Sequence, residues 1–189
     1  SISGIEPNAV TNQNVSLTIT DDLEYQTTVL LNDEEIEFTD AFDKEGVYTV
    51  TVTDKAQNEN SIKFTIDKTQ PRLNEVKSGN HYTDITVDVT DETDVKIDIQ
   101  KDHKETFEVE NGTSLTEEGT YKITLTDEAG NQNIIWTAID NTKPTITGVT
   151  NNSYVNSCDR IYVQDRYLNK VTINDDVYTR DDFTHNAFN

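Results

Sequence analysis

Residues 53–71 read TDKAQNENSIKFTIDKTQP, and residues 126–144 read TDEAGNQNIIWTAIDNTKP. Asp127 lies 73 residues after Asp54, and Pro144 lies 73 residues after Pro71, so the two stretches align without a gap. The run before each stretch is repeated as well, as EGVYTVTVTD and EGTYKITLTD. Self-similarity of this length at a fixed period indicates tandem copies of one structural unit.

The repeat divides the 189 residues into two full units, 1–71 and 72–144, and a partial third unit, 145–189. The first residues, SISGIEP, resemble TITGVTN at 145–151, which follows Pro144. Set against the second unit, the third lacks about 30 residues. We therefore expect the chain to be a fragment of a longer polypeptide.

Hydrophobic residues alternate with polar ones along most of each unit. A period of two is typical of a half-buried β-strand, and two such runs joined by turn residues predict a hairpin. The last two runs of each unit place inward Tyr48, Val50, Val52, Ile62, Phe64 and Ile66 in the first copy, and Tyr121, Ile123, Leu125, Ile135, Thr137 and Ile139 in the second.

Earlier runs alternate in the same way, and none shows the 3.6-residue period of a helix. The second predicted strand carries Val15, Leu17 and Ile19 in the first unit and Ile85, Val87 and Val89 in the second. A third predicted strand places the following residues inward in the first, second and third units: Val29 and Leu31; Val95, Ile97 and Ile99; and Val171 and Ile173. Phe38 and Phe107 are predicted to begin one more strand. About seven short strands per unit predict an all-β protein of small antiparallel β-sandwiches.

The net charge of −21 and the pI near 4.2 argue against partners that are themselves anionic. A nucleic-acid or anionic-lipid surface needs a basic patch, and the sequence shows none. No apolar run approaches the ~18 residues of a membrane span, so we predict no membrane insertion. One cysteine excludes an intrachain disulfide. Because no phosphate loop, cysteine pair or HExxH motif occurs, we predict no catalytic residues and no enzyme activity.

The segment EGTYKITLTDEAGNQN and the later IDNTKP resemble the last strands and linker of bacterial Ig-like surface-protein repeats. The resemblance covers essentially the whole chain and implies tandem Ig-like sandwiches in an extracellular protein of the cell surface or wall of Gram-positive bacteria. It implies a spacer or adhesive stalk, with a host protein, cell-surface protein or glycan as partner. The alternative is a carbohydrate-binding accessory module of a secreted enzyme. The first copy departs from the pattern at Gln57, where the second has Gly130, so that turn either avoids a positive φ or is strained.

Acidic residues recur where an Ig-like module would meet the preceding one. At that pole the second strand ends and the last two strands turn, so Asp67 is expected near Asp91 and Asp127, and Asp140 near Asp165. Clustered carboxylates are ligands for Ca²⁺, which takes 6–8 oxygens. The other interpretation is that these aspartates bond their own turns. Mutual repulsion of three carboxylates favours a cation, although the fold requires no cofactor.

Trp136 aligns with Lys63 on the outward face of the last strand. An exposed aromatic ring there is suited to stacking on a sugar or a partner. The alternative is that the ring packs on a neighbouring strand or module, or that a bulge turns it inward.

The third unit lacks the strands that supply half the core of the second. Ile161, Val163, Val171 and Ile173 are therefore expected to face water beside an open sheet edge. Three arrangements are compatible with this sequence: continuation of the chain, strand pairing with another chain, or a smaller core.

Overall fold

The computed structural model describes residues 1–22, 24–157, 160–179 and 182. Across these residues it contains 22 β-strands and no α-helix, which confirms the all-β prediction. No helix in the described part of the chain is long and apolar enough to cross a membrane.

Nine strands, all within residues 2–66, build the first module. They are β1 (Ile2–Ser3), β2 (Val10–Thr11), β3 (Val15–Ser16), β4 (Thr18–Ile19), β5 (Tyr25–Leu31), β6 (Glu34–Ile36), β7 (Ala41–Phe42), β8 (Gly46–Asp54) and β9 (Glu59–Ile66). Five form a sheet in the order β2-β9-β8-β5-β6, while β1 pairs with β4 and β3 pairs with β7. Only Leu17 separates β3 from β4, so these two pairs form one smaller second layer.

The strand order identifies the module as an Ig-like sandwich. The start of the chain contributes one strand to each layer, since β1 joins the small sheet and β2 runs parallel to β9 in the large one. The other pairings are antiparallel. A large sheet that carries the last two strands facing a small sheet that carries the second strand is the Ig-like arrangement.

The second module repeats this architecture strand for strand. Its strands are β10 (Arg72–Leu73), β11 (His81–Tyr82), β12 (Ile85–Thr86), β13 (Val89–Thr90), β14 (Val95–Lys101), β15 (Thr106–Val109), β16 (Ser114–Leu115), β17 (Gly119–Asp127) and β18 (Gln132–Ile139). The large sheet has the order β11-β18-β17-β14-β15, and the small layer pairs β10 with β13 and β12 with β16. The chain is therefore a tandem array of Ig-like modules.

Each module has its own hydrophobic core between its two sheets. Residues that the alternating pattern placed inward line both cores, with Tyr48 only 1% exposed and Tyr121 only 2% exposed. Each tyrosine hydroxyl donates a hydrogen bond to a carbonyl four residues earlier, Tyr48 to Lys44 at 2.9 Å and Tyr121 to Glu117 at 2.7 Å. This contact is the tyrosine corner found in Ig-like folds. The predicted equivalence of the two tyrosines is confirmed.

The structure corrects the prediction for Phe38 and decides between the two interpretations of the turn at Gln57. Phe107 lies in β15, but Phe38 follows β6 outside any strand, and its ring packs edge-on against Phe42 at a centroid distance of 6.1 Å. Gln57 has a φ of 68°, close to the 88° of Gly130. The first-module turn therefore uses the same left-handed conformation and is strained, because a side chain is disfavoured there.

The third segment contains β19 (Thr145–Thr147) paired with β20 (Tyr162–Gln164), and β21 (Lys170–Ile173) paired with β22 (Asp176–Thr179). Ile161 is 38% exposed and Ile173 is 42% exposed, in agreement with the sequence prediction, whereas Val171 is half-buried. Val163 was expected to face water and is instead only 7% exposed. It stands opposite Ile146 in the β19–β20 pair, although Ile146 itself is 64% exposed.

Candidate metal centre

A short linker, residues 68–71, joins the last strand of the first module to β10. Glu45 holds it from the first module, since its Oε1 accepts hydrogen bonds from the Lys68 backbone N–H at 2.6 Å and the Thr69 hydroxyl at 3.0 Å. Asp67 closes a turn by accepting from the Thr69 backbone N–H at 3.0 Å. The linker therefore has a defined path out of the module.

The same bonds recur after the second module, where Glu118 accepts from the Asn141 backbone N–H at 2.8 Å and from the Thr142 hydroxyl at 2.7 Å. This explains why the EG and ID-x-T segments repeat together. The sequence analysis did not assign a role to Glu45 or Glu118, although their place in the repeated EG pair was the signal.

Asp67 is the most unusual carboxylate in the described chain. It directly follows β9, its backbone N–H is bonded to the Thr11 carbonyl at 2.9 Å, and only 6% of the residue is exposed. The turn uses one carboxylate oxygen, Oδ1. The other, Oδ2, is buried and has no hydrogen-bond partner.

Asp127 ends β17 and is 5% exposed. Its Oδ1 accepts from the Asn131 backbone N–H at 2.7 Å, and its Oδ2 accepts from the Asn131 side-chain amide at 2.8 Å. Asp54 and Asn58 make the same pair of bonds in the first module, at 2.9 and 2.8 Å. The Asp–Asn pair therefore builds the turn between the last two strands of each module.

In the second module this turn also contacts the preceding module. The Asn131 amide donates to the Asp67 carbonyl at 2.9 Å, and the Asn133 amide donates to the Pro71 carbonyl at 2.9 Å. Both asparagines occur in each copy of the repeat, as Asn58/Asn131 and Asn60/Asn133. That repetition was the only sequence signal for these bridges between modules, which the sequence analysis missed.

Asp91 follows β13 and completes the group. Its Oδ2 accepts from the backbone N–H of Thr93 at 3.1 Å and from the Thr93 hydroxyl at 2.8 Å. One carboxylate oxygen from each of Asp67, Asp91 and Asp127 lies within 4.8 Å of the other two. The structure thus brings together the three aspartates that the sequence placed at the first junction.

Burial is the largest cause that raises the pKa of Asp67, and the charges of Asp127, Asp91 and Glu45 raise it further. The bond from Thr69 acts in the opposite direction. Each cause that raises the pKa penalises the ionised carboxylate, so a cation beside Asp67 would stabilise that form.

The cluster borders an acidic cleft of about 810 Å³ between the two modules. Its described lining contains Asp67 and Asp91 together with further acidic residues Glu45, Glu92, Asp94 and Glu128, and no lysine or arginine. The negative charge of the junction is therefore not balanced by basic groups of that lining.

The second junction has the same local turns but not the same cluster. Asp140 accepts from the Thr142 backbone N–H at 3.0 Å, and Asp165 accepts from the Tyr167 backbone N–H at 2.7 Å. Within the described residues no group of three metal-ligating side chains forms around them. A contact between the rings of His81 and Tyr167, 4.1 Å apart, links the second module to the third segment here.

Trp136 points outward from β18 and is 47% exposed, whereas its neighbours Ile135 and Thr137 are buried. The Lys122 ammonium lies 5.6 Å from the ring centroid, and the His103 ring lies 6.3 Å away. No bulge turns the indole inward. Its face is partly covered by a cation rather than by another apolar residue.

Comparison with known proteins identifies no relative by sequence, since no family model and no curated protein matches the chain. The chain is similar to a titin I-band fragment, I67–I69, at a TM-score of 0.40 and 10% identity, covering 92% of this chain and 83% of the fragment. It is also similar to the insect immune protein hemolin, at a TM-score of 0.40 and 13% identity, covering 72% of this chain and 45% of hemolin.

A third structure is SGBP-B of Bacteroides ovatus, in complex with a mixed-linkage heptasaccharide. Its TM-score is 0.26 at 13% identity, over 96% of this chain and 64% of that protein. Because all three TM-scores lie below 0.5, the assignment of Ig-like modules stands on the strand order described above.

Proposed function

We propose that this chain is a non-enzymatic spacer from the stalk of a bacterial extracellular surface protein. The observation that carries the proposal is the junction between the modules, where a short linker is held from both sides. Glu45 binds it from the first module, and Asn131 and Asn133 bind its carbonyls from the second. A linker fixed in this way keeps successive modules at a set orientation, which a spacer requires.

The charge and the repetition agree with this role. A net charge of −21 keeps neighbouring modules of an array apart and soluble through mutual repulsion. The two modules share their cores and junction residues but differ on their outer faces, where Lys63 of the first corresponds to Trp136 of the second. Conservation of the core and junction within the repeat, without a common outer surface, suits a structural function.

A distance measurement between the modules tests the proposal. Spin labels are placed through Thr28→Cys and Thr106→Cys, on exposed positions of β5 and β15, after Cys158→Ser removes the native thiol. We expect one narrow distance distribution for the chain and a broader one for Asn133→Ala, which removes the bond to Pro71. Asn60→Ala, the equivalent change at the far pole of the first module, is the control. A distribution already broad before any mutation would refute a semi-rigid spacer.

Trp136 supports one alternative, a carbohydrate-binding module. An exposed indole on the outer face of the large sheet is suited to stacking on a sugar ring. Binding to a glycan array, compared between the unchanged chain, Trp136→Ala and the control Lys63→Ala, separates the two functions. The spacer proposal expects no saturable binding. Binding abolished by Trp136→Ala and retained by Lys63→Ala would establish the alternative.

A further inference from the structure

We propose that Asp67, Asp91 and Asp127 form a Ca²⁺ site shared by the two modules. The first ligand comes from the end of the last strand of the first module, and the other two come from the entry pole of the second. The inference does not depend on the spacer role, because it concerns what occupies the junction rather than what the array presents.

The spacing of the three carboxylates fits one ion. Calcium binds oxygen at 2.3–2.6 Å, so two ligands of the same ion lie at most about 5 Å apart. The three ligand oxygens lie within 4.8 Å of one another without any movement of the chain. An ion at their centre lies at most about 2.8 Å from each oxygen, so an inward shift of no more than a few tenths of an ångström lets it contact all three.

The second observation is the unpartnered oxygen of Asp67. Its Oδ2 is buried within a residue that is 6% exposed, and no donor among the described groups reaches it. A buried carboxylate oxygen without a partner is costly, because it has lost its water and gained no hydrogen bond. The other oxygen of the same group is held by Thr69, which fixes the orientation of Oδ2. A cation supplies the missing partner.

Among the described residues, no basic side chain takes that place. The ion pairs of the described residues join Lys55 to Glu24, Lys96 to Asp98 and Glu108, and Lys101 to Glu117, and none of them includes the three aspartates. Two of those aspartates are more than nine-tenths buried, so water screens their repulsion only weakly. The site therefore carries negative charge that no basic side chain of the described residues neutralises and that water screens only weakly. Both conditions favour binding of a divalent cation.

The ligand type selects the class of ion. The cluster holds carboxylates only, without histidine or cysteine, which favours hard cations over zinc or copper. Magnesium prefers a strict octahedron at 2.0–2.1 Å and keeps several waters, whereas calcium accepts irregular sets of 6–8 oxygens. Three carboxylates from two modules form an irregular set, so we assign calcium. Water or backbone carbonyls would complete its coordination.

The test is urea unfolding of the full chain after EDTA treatment, followed by the fluorescence of Trp136 in the second module. Calcium is added as CaCl₂ at about 10 mM, well above the dissociation constants of roughly 0.1–1 mM of extracellular calcium modules. A ligand that binds only the folded state at such a ratio raises the folded-to-unfolded ratio about 10- to 100-fold. We expect this rise for the unchanged chain, and a smaller one with MgCl₂.

Asp67→Asn is the diagnostic variant. It keeps the shape of the side chain and removes one buried charge, so the metal-free variant should be at least as stable as the unchanged chain. Its response to calcium should be lost. Asp54→Asn is the matched control, because Asp54 makes the same turn bonds as Asp127 at the opposite pole; it should retain the full calcium response.

Equilibrium dialysis with radioactive calcium gives an independent measure. We expect the unchanged chain to bind one ion more than Asp67→Asn. Should Asp67→Asn fail to fold by circular dichroism, Asp91→Asn replaces it in both measurements. No stabilisation of the unchanged chain by CaCl₂, or equal stabilisation of the Asp67 variant, would overturn the assignment.

Discussion

At the scale of single residues, substitutions in the turn between the last two strands can test whether that turn is strained in the first module. Gln57 adopts a φ of 68° where the second module has Gly130 at 88°. A left-handed conformation costs a residue with a side chain about 1 kcal/mol, and glycine avoids that cost. We expect Gln57→Gly to stabilise the first module by up to about 1 kcal/mol in urea unfolding. Gly130→Ala should destabilise the second by a similar amount; an unchanged midpoint for both variants would show that the turn stores no strain.

The same scale shows where sequence reasoning succeeded and where it failed. Alternation identified the buried faces of the long strands, because a period of two reflects which side chains face the core. The meeting of Asp67, Asp91 and Asp127 followed from the strand ends of an Ig-like module. The bonds from Asn131 and Asn133 to the linker were missed, because long-range polar contacts leave no periodic pattern. Phe38 was misassigned because a phenylalanine can pack from a loop as well as from a strand.

At the scale of the elements, the tyrosine corner fixes the start of β17 against the segment before it. Tyr121→Phe removes the hydroxyl that donates to the Glu117 carbonyl at 2.7 Å and leaves the ring in the core. We expect a loss of about 1 kcal/mol in the stability of the second module. Tyr48→Phe should cost the first module a similar amount, since it removes the equivalent 2.9 Å bond to Lys44. Calorimetry of both variants checks this, and a loss confined to one module would contradict the equivalence of the corners.

At the scale of the whole molecule, the junction makes stability depend on pH. The pKa of Asp67 is raised above its ordinary value of 3.8, chiefly by burial, so the folded state holds that proton more tightly than the unfolded chain does. The free energy of unfolding must then fall as pH rises from about 3.8 through the raised pKa. Aspartates and glutamates with lowered pKa values, such as Asp102 and Glu118, have the opposite effect: their contribution to the free energy of unfolding rises with pH.

A difference measurement isolates the contribution of Asp67. We expect the stability of the metal-free chain relative to Asp67→Asn to decline as pH rises above 4, because only the unchanged chain has the Asp67 carboxyl to ionise. Urea unfolding at several pH values in EDTA measures this difference. A difference independent of pH would mean that Asp67 titrates normally and that burial does not penalise its charge.

The parallel pairing of β2 with β9 has a mechanical consequence. Three backbone hydrogen bonds join the two strands and their ends: Asn8 N–H to the Lys63 carbonyl, Thr65 N–H to the Ala9 carbonyl and Asp67 N–H to the Thr11 carbonyl. Three bonds in the same pattern, donated by the N–H groups of Gly79, Ala138 and Asp140, join β11 and β18 in the second module. One strand of each pair lies near the entry of its module and the other leads to the exit. Tension along the array therefore pulls the two strands of a pair in opposite directions along their length. The three hydrogen bonds of that pair then bear the load together, in shear. Single-molecule pulling from the chain ends should consequently give a higher rupture force than pulling across the β8–β9 hairpin, which opens one bond at a time.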